Sequence, residues 1–443
     1  MKNGLEQQVA ELERRAEQVS SHLKFASRPF VIEFAGTPKS GKTSTVEAIR
    51  HFFTRQGFRV HLLSERAALS PIPMKGHLFF NTWCACTMLA ELLDNIETDA
   101  DIIIVDRGLF DALVWLTLQK QRRELTDKEA DTIEAFLLLE RWRSLIDLVV
   151  VMNVSAEEAI RRENAQRISS KTGSIMNPDA LTALSVSVKG AAEKYGPEFA
   201  ASIEYDTTGQ CPRGSATQLA ERILDLLEEF LNPEILILPR TIVSGLPLRG
   251  DGAFSEEAKA KFVAALSTNG RFMRRSEAEA DSDSVQVIAC GVLTYEDSIF
   301  VFERKDRDQK SSLYGKLTLW QGTHVPKQGG TAELKLLERA IIDRITRYLF
   351  LSRAFPIRFA GYCWEANNEK SNRHMGAIFE VLIDNPYTAT DLKKKEFRRG
   401  RGSDLGGSFK CIADLESVAA AADTSLETWS VAIVKALDQF RKR

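Results

Sequence analysis

The chain has 443 residues, 44% of them hydrophobic and 27% charged, with a formal net charge of −2. That length exceeds what one hydrophobic core serves and points to two domains. The near-neutral balance excludes a global basic field that would draw the chain to nucleic acid or to a membrane surface. No apolar run approaches the roughly 20 residues of a membrane span, and the N-terminal MKNGLEQQVAELERR lacks the apolar stretch of a secretion signal. The six cysteines are scattered, with only Cys84 and Cys86 close, and read as free thiols of a cytoplasmic protein.

Leu5, Val9, Leu12, Ala16, Val19 and Leu23 recur at spacings of four and three, an apolar stripe along a helix within residues 1–28. Such a stripe either pairs with a second copy in a short coiled coil, making a homodimer, or lies on its own domain. From Pro29 onward, five short apolar runs alternate with helical stretches: Phe30–Ala35, Val60–Leu63, Ile102–Val105, Leu148–Met152 and Ser202–Tyr205. Strands alternating with helices predict an α/β domain over 29–232, with a parallel sheet covered on both faces. Thr126-Asp-Lys-Glu129 fits a capping box that opens a long helix through Trp142, and Ser155 caps the helix that carries Ala159 to Gln166.

The alternation stops near Asn232. Residues 233–283 hold Pro233, Pro239, Pro247, several glycines and the acidic stretch Glu277–Asp283, and read as a linker carrying one helix, Ser255 to Leu266. A second domain of α+β type follows over 284–443. It begins with Val285–Leu293 and Ser298–Glu303 as a strand pair, continues through a strand at Gly376–Ile383, and ends in a helix with Leu426, Trp429, Ile433, Leu437 and Phe440 on one side.

The strongest chemical signal is Gly36-Thr37-Pro38-Lys39-Ser40-Gly41-Lys42-Thr43, followed by Ser44, between the strand FVIEFA and a helical stretch. Glycines at these positions let successive backbone N–H groups turn toward a polyphosphate, and the helix that follows offers it the positive end of its dipole. Lys42 is then placed for the β and γ phosphates of ATP, and Thr43 for Mg²⁺. Asp106 ends the strand DIIIVD. A carboxylate at that strand tip is placed to bind Mg²⁺ directly or through water, unless it is a plain strand cap. Arg107 beside it is a phosphate ligand by chemistry. Glu65, at the end of the second strand, is a candidate base or acceptor-binding group, or a surface charge. Arg161, Arg162 and Arg167 lie on or just after one helix, either as a cationic lid over a transferring phosphoryl group or as a solvated basic face.

In this order the four elements resemble the P-loop nucleoside and nucleotide kinases, especially the deoxynucleoside and thymidylate kinases, over roughly residues 29–230. The resemblance implies that Glu65 sits where the deoxynucleoside kinases keep their base. It also places Phe80-Asn81-Thr82-Trp83 where they read the acceptor, so Asn81 and Trp83 become acceptor candidates. Two departures stand out: Gly108 follows the Asp-Arg pair where thymidylate kinases carry an aromatic residue, and Lys171 to Asn177 forms a polar loop without a counterpart. Asp206-Thr-Thr-Gly209 falls where related kinases approach the adenine.

Segments of residues 255–443 resemble a Nudix fold: Phe272-Met-Arg-Arg, Phe302-Glu-Arg304, Leu313-Tyr-Gly-Lys316, Trp320-Gln-Gly-Thr-His-Val325, Arg373-His374-Met-Gly376 and Leu426-Glu-Thr-Trp-Ser430. A working Nudix helix carries an Arg-Glu pair followed by two adjacent glutamates that bind Mg²⁺. The register that aligns Arg339 with the arginine puts Ala340 at the first glutamate and Asp343 and Arg344 at the last two, with Glu333 and Glu338 as remaining acids. A guanidinium at a metal-ligand position is electrostatically adverse, so this domain is expected not to hydrolyse diphosphates and to serve in binding or as scaffold. Lys393-Lys-Lys-Glu-Phe-Arg-Arg-Gly-Arg401 is a basic run, read as a solvated loop rather than a nucleic-acid contact.

The reading as a whole is an ATP- and Mg²⁺-dependent kinase domain acting on a nucleoside or nucleotide, joined to a degenerate Nudix-like domain. Its rivals are a non-catalytic nucleotide sensor and a polynucleotide 5′-kinase.

Overall fold

The computed structural model describes residues 2–23, 26, 28–73, 77–96, 98–166, 175–303, 315–328, 332–349, 355–367, 371–383, 396–400, 403–421 and 424–437. Arg167, Lys171 to Ser174, Arg304, Leu313, Tyr314, Lys393 to Lys395, Arg401 and Phe440 lie outside the described residues, as do the side chains of 396–400. The chain forms two compact units, Met1–Leu231 and Asn232–Arg443.

The first unit runs α1 (Lys2–Ser20), β1 (Phe30–Gly36), α2 (Lys42–Arg55), β2 (Val60–Leu63), α3 (Leu78–Asn95), β3 (Ile102–Asp106), α4 (Leu109–Gln121), α5 (Asp127–Leu137), α6 (Glu140–Arg143), β4 (Leu148–Asn153), α7 (Ala156–Gln166), α8 (Pro178–Tyr195), β5 (Ser202–Asp206) and α9 (Pro212–Leu231). All five expected strands form, in a parallel sheet of order β2-β3-β1-β4-β5. Successive side chains of β1 point to opposite faces. Phe30, Ile32 and Phe34 join a layer with Leu12, Ala16 and Val19 of α1, Ile49 and Phe53 of α2 and Leu224 of α9. Val31 and Ala35 join the other layer, with Met88 of α3, Leu113 of α4 and Val188 of α8. The sheet is therefore buried on both sides, and β1 lies at its centre with its C-terminal end between β3 and β4.

One open alternative is decided here, and one expectation changes. The α1 stripe is used within the chain: Leu12, Ala16 and Val19 are buried in its own unit, and Arg15 reaches Asp225 of α9 at 2.6 Å, so these residues are not left as a homodimer face. The long helix from Thr126 to Trp142 is two helices. The capping box of Thr126 and Glu129 forms as expected, but Leu139 adopts extended backbone, and Trp142 Nε1 donates to the Phe136 carbonyl at 2.9 Å across the break. Ser155 caps α7, its Oγ accepting from the Glu158 amide at 3.2 Å.

The second unit runs β6 (Glu234–Pro239), α10 (Arg240–Ser244), β7 (Gly252–Ala253), α11 (Glu256–Asn269), β8 (Arg271–Arg274), α12 (Arg275–Ala280), β9 (Ser284–Tyr295), β10 (Ser298–Glu303), β11 (Leu317–Thr318), β12 (Gln321–His324), α13 (Leu334–Leu349), β13 (Ile357–Trp364), β14 (His374–Leu382), β15 (Glu396–Gly400), β16 (Ser403–Cys411), α14 (Ile412–Ala420) and α15 (Thr428–Lys435). Its sheet is mixed: β9 pairs parallel with β14 and antiparallel with β6, β10 and β12. The segment 233–283 is therefore no linker. Its apolar run EILILP forms β6 against β8 and β9, and α11, the one helix expected here and capped by Ser255, stacks Phe262 on Phe359 and Tyr362 with centroids 5.3 Å apart. Flanking prolines hid a strand of only 6 residues. No helix of the described residues is long and apolar enough to cross a membrane, and all six cysteines are free.

Candidate functional site

The loop from Gly36 to Thr43 leaves the end of β1 and enters α2. Gly36 has φ 127°, and a Cβ there would lie 1.9 Å from the Met152 carbonyl oxygen of β4, so the close packing of the loop on β4 needs a glycine. Lys39 (φ 59°) and Gly41 (φ 88°) are both left-handed, which curls the backbone into a concave turn. Gly41 is the N-cap of α2 and offers no side-chain acceptor to the first-turn amides, and Gly41 to Ser44 border the adjoining cavity.

Lys42 is 5% exposed and folded over this turn. Its Nζ donates to the carbonyls of Gly36 at 3.0 Å and Thr37 at 2.6 Å and lies 3.3 Å from Ser40 Oγ. Burial, with Arg107 pushing the same way, lowers the ammonium to about 7 against the opposing carboxylates of Asp111, Asp106 and Glu65. Ser40 Oγ donates to the Thr37 carbonyl at 2.8 Å, while the buried Thr37 hydroxyl has no hydrogen-bond partner among the described residues.

The tip of β3 brings Asp106 and Arg107 to the same place. Arg107 holds φ 64°, uncommon for a side-chain-bearing residue, and three acceptors fix it there. Its guanidinium donates to Asp111 Oδ1 at 3.1 Å and to the Gly36 carbonyl at 3.3 Å, and it forms an ion pair with Glu65 at 3.1 Å. Burial opposes the Arg107 charge, but Asp111, Glu65 and Asp106 together raise its basicity. Burial also raises the Asp106 carboxyl above its usual range, with Arg107 pulling it back down.

Two acids that the sequence reading missed organise this centre. Asp111, one turn into α4, accepts from the Gly36 amide at 3.2 Å and from Trp115 Nε1 at 3.2 Å as well as from Arg107. Glu33 lies in the middle of β1, fully buried on the side that faces α4. Its Oε1 accepts from the amides of Gly108 and Asp111, each at 2.9 Å, while Oε2 has no hydrogen-bond partner among the described residues. Burial raises the Glu33 carboxyl to about 7, even though those amides favour its charged form. Glu33 also explains Gly108: a Cβ there would sit 2.8 Å from Glu33 Oε2 and 2.9 Å from Val105 Cγ1, so no aromatic residue fits after Arg107. One acid inside the apolar run FVIEFA was the available signal for Glu33, and the Arg107–Asp111 spacing of one helical turn was the signal for Asp111.

The helix expected to carry a cationic lid is α7. Arg162 is the residue that ties it to the loop, donating to the Lys39 carbonyl at 3.0 Å, the Thr207 carbonyl at 2.6 Å and Glu158 at 2.8 Å. Arg161 is 73% exposed and pairs only with Glu158 among the contacts seen, at 2.6 Å. The two guanidiniums hold the Glu158 carboxyl down at about 2. Thr207, in the Asp206-Thr-Thr-Gly209 segment, also bonds to the Asn153 carbonyl at 3.1 Å.

Lys42, Glu65, Asp106, Arg107, Asp111 and Arg162 line one cavity of about 680 Å³. One end holds Pro38 to Ser44, Asp106, Arg107 and Glu65; toward α7 and β5 it meets Arg161, Arg162, Thr207 and Gln210; its other wall is Phe80, Asn81, Trp115 and Arg122. Asn81 lies in that wall, with Nδ2 donating to the Ala112 carbonyl at 3.0 Å. Trp83 does not line it. Two residues along a helix is a rotation of about 200°, so the face of α3 that presents Asn81 also presents Phe80, Cys84 and Ala85 and turns Trp83 away.

In the second unit, α13 carries the residues aligned with the Nudix acids. Ala340 is buried in the core at the first acidic position, Glu333 and Arg339 are exposed, and Glu338, Asp343 and Arg344 are half-buried. Among the described residues, α13 contributes to no grouping of three metal-ligating side chains.

No family model matches the chain. Protein YmaB of Bacillus subtilis (strain 168) is 27% identical over 209 residues, which is 46% of this chain and 97% of that protein. Among solved structures, deoxyadenosine kinase from M. mycoides with its products dCMP and dCDP aligns with a TM-score of 0.36 and 15% identity over 44% of this chain and all of that one. Thymidylate kinase from Candida albicans aligns at TM-score 0.35 and 15% identity, over 46% of this chain and 94% of that chain. Tm1382, assigned as a Nudix hydrolase, aligns at TM-score 0.33 and 20% identity, over 46% of this chain and 98% of that one.

Proposed function

We propose that the first unit is a phosphotransferase that moves the γ-phosphoryl group of ATP to a nucleoside or nucleoside monophosphate. The observation that supports this reading is the convergence on one cavity of an uncapped helix N-terminus, a buried lysine and an acid-arginine pair from the neighbouring strand. The volume of about 680 Å³ lies in the range of small-molecule sites, about 300–1,000 Å³.

In this reading, the amides from Lys39 to Ser44 hold the phosphates. Lys42 exchanges the carbonyls of Gly36 and Thr37 for the β and γ oxygens. An acceptor oxygen, the hydroxyl of a nucleoside or a phosphate oxygen of a monophosphate, attacks the γ-phosphorus, the bond to the β–γ bridging oxygen breaks, and ADP leaves with the electron pair. The charge that accumulates on the transferring group meets Lys42, Arg107 and Arg162, with Arg161 at the rim. Glu65 takes the hydroxyl proton or orients the acceptor, and its ion pair with Arg107 links acceptor position to phosphate position. Thr43 and Asp106 both border the cavity and would hold Mg²⁺, which neutralises phosphate charge when bound. A carboxylate burdened by burial, such as Asp106, is suited to a cation that restores its charged form. Asn81 and its neighbours Phe80 and Trp115 form the acceptor wall. Free cysteines throughout suit a reducing cytoplasm.

The second unit takes a binding or structural role without diphosphate hydrolysis, supported by a buried alanine and an arginine where metal-binding glutamates are required. A metal-dependent pyrophosphatase activity abolished by Asp343→Ala would overturn that assignment.

The test of the kinase is a screen with Mg²⁺ and γ-labelled ATP against nucleosides, deoxynucleosides and their monophosphates, beside Lys42→Ala. Label on one acceptor, lost in the variant, supports the proposal and names the acceptor. Tight ATP binding with no transfer to any of them replaces it with a nucleotide sensor.

A further inference from the structure

His324 ends β12 and His374 begins β14, and both strands flank β9. His324 stands opposite Ile288 and His374 opposite Gln286. Residues two apart on a strand share a face, so both histidines project from the same side of the sheet. Their ring centroids are 6.0 Å apart. The helix α12 covers this end of that face, because Ala278 is buried with Ile235 and Ile237, and Ile237 stands opposite Gln286. Glu279, the next residue of α12, adds a carboxylate. One ligand atom from each of Glu279, His324 and His374 lies within 4.8 Å of the others, and all three side chains are half-buried. The helix α13 packs Ile341 against Gly291 of β9 on the opposite face, and among the described residues no acid of α13 joins this grouping.

We propose that Glu279, His324 and His374 form a binding site for a divalent transition-metal ion of the zinc class. Two imidazoles and one carboxylate are a three-ligand set that such an ion accepts, with a further position open to water or an anion. A metal-bound imidazole is normally held by a second hydrogen bond, and Gln286, fully buried, has Oε1 2.9 Å from His324 Nε2. Half-burial leaves an entry path while shielding the ion from bulk water. Arg275 lies one turn before Glu279 on α12. With one carboxylate and the guanidiniums of Arg275 and Arg344 both acting on His324, the site offers little to a hard ion held by charge, such as Mg²⁺, and favours one bound through nitrogen.

The test uses the full chain without a histidine tag, stripped with a chelator and titrated with ZnCl₂ by calorimetry and with Co²⁺ by visible absorption. One equivalent of Zn²⁺ is expected, bound in the presence of millimolar Mg²⁺. Affinity should fall about tenfold or more in His324→Ala, His374→Ala and Glu279→Gln, and by a similar factor in Gln286→Leu. Co²⁺ should give the weak visible bands of nitrogen and oxygen ligation. Absence of stoichiometric Zn²⁺ binding overturns the proposal, as does a thiolate-to-cobalt charge-transfer band. Should a histidine variant fail to fold, Zn²⁺ must still raise the melting temperature of the wild type and not of Glu279→Gln; equal shifts in both overturn the assignment.

Discussion

Replacing Glu33 by glutamine tests the electrostatic design of the first unit. Glu33 is fully buried in β1 and its carboxyl is raised from 4.5 to about 7, chiefly by burial. A carboxyl held near 7 in the fold but free to ionise at 4.5 when unfolded favours the protonated native form, at the extreme by about 3 kcal/mol. The sign follows from proton binding: between those values the native state binds more protons than the unfolded state. Stability is therefore fully present below pH 4.5 and is lost as pH rises through about 7. The Glu33→Gln variant keeps an oxygen for the amides of Gly108 and Asp111 but has no carboxyl to ionise there, so it removes this pH dependence. The difference in unfolding free energy between variant and wild type should shift in favour of the variant by about 3 kcal/mol from pH 4.5 to pH 8. Urea titrations read by hydrogen exchange of peptides from β1 and α4 report this unit alone. Parallel stability curves for the two proteins would refute a buried, protonated Glu33.

Lys42, lowered to about 7 without ligand, should regain its full charge against a triphosphate. ATP binding at pH 8.5 should then take up close to one proton and at pH 5.5 almost none, read as calorimetric heats in buffers of different ionisation enthalpy; equal uptake at both would contradict it. Gly108→Ala drives a Cβ to 2.8 Å from Glu33 Oε2 and should cost about 1–3 kcal/mol by overpacking. Partial recovery of melting temperature in the double variant with Glu33→Ala is expected, and strict additivity would disprove the contact. Arg162→Ala severs the link between α7, Lys39 and Thr207 and should lower kcat/KM for ATP by about 10²-fold, whereas Arg161→Ala, at a 73% exposed position, should cost far less. Ala16→Arg should lower the melting temperature at every protein concentration, because Ala16 is fully buried in its own unit, and a change seen only in oligomeric state would contradict that packing.

By itself, the sequence determined what is local. Short apolar runs set between helical stretches placed the five strands of the first sheet, because such a run is written within a handful of neighbours. The capping box at Thr126, the cap at Ser155 and the left-handed Gly41 are equally local, since each depends on backbone and side chains a few residues apart, whereas Gly36 answers to Met152 of β4. Lys42, Asp106, Arg107 and Glu65 were legible because strand ends in a parallel sheet converge on one edge. The tertiary structure alone decided which faces meet. Sheet order brings Glu33 of β1 beneath the first turn of α4, and only there does a mid-strand acid become a partner of Gly108 and Asp111. Helical rotation places Asn81 on the cavity and Trp83 away from it. The strand β6, masked by its prolines, is held by pairing with β8 and β9, the latter almost fifty residues on. Glu279, His324 and His374 span nearly a hundred residues and share no motif; they come together because β12 and β14 both flank β9 while α12 covers the same face. Pattern in a sequence reports the neighbours along the chain, and these contacts belong to neighbours that only folding creates.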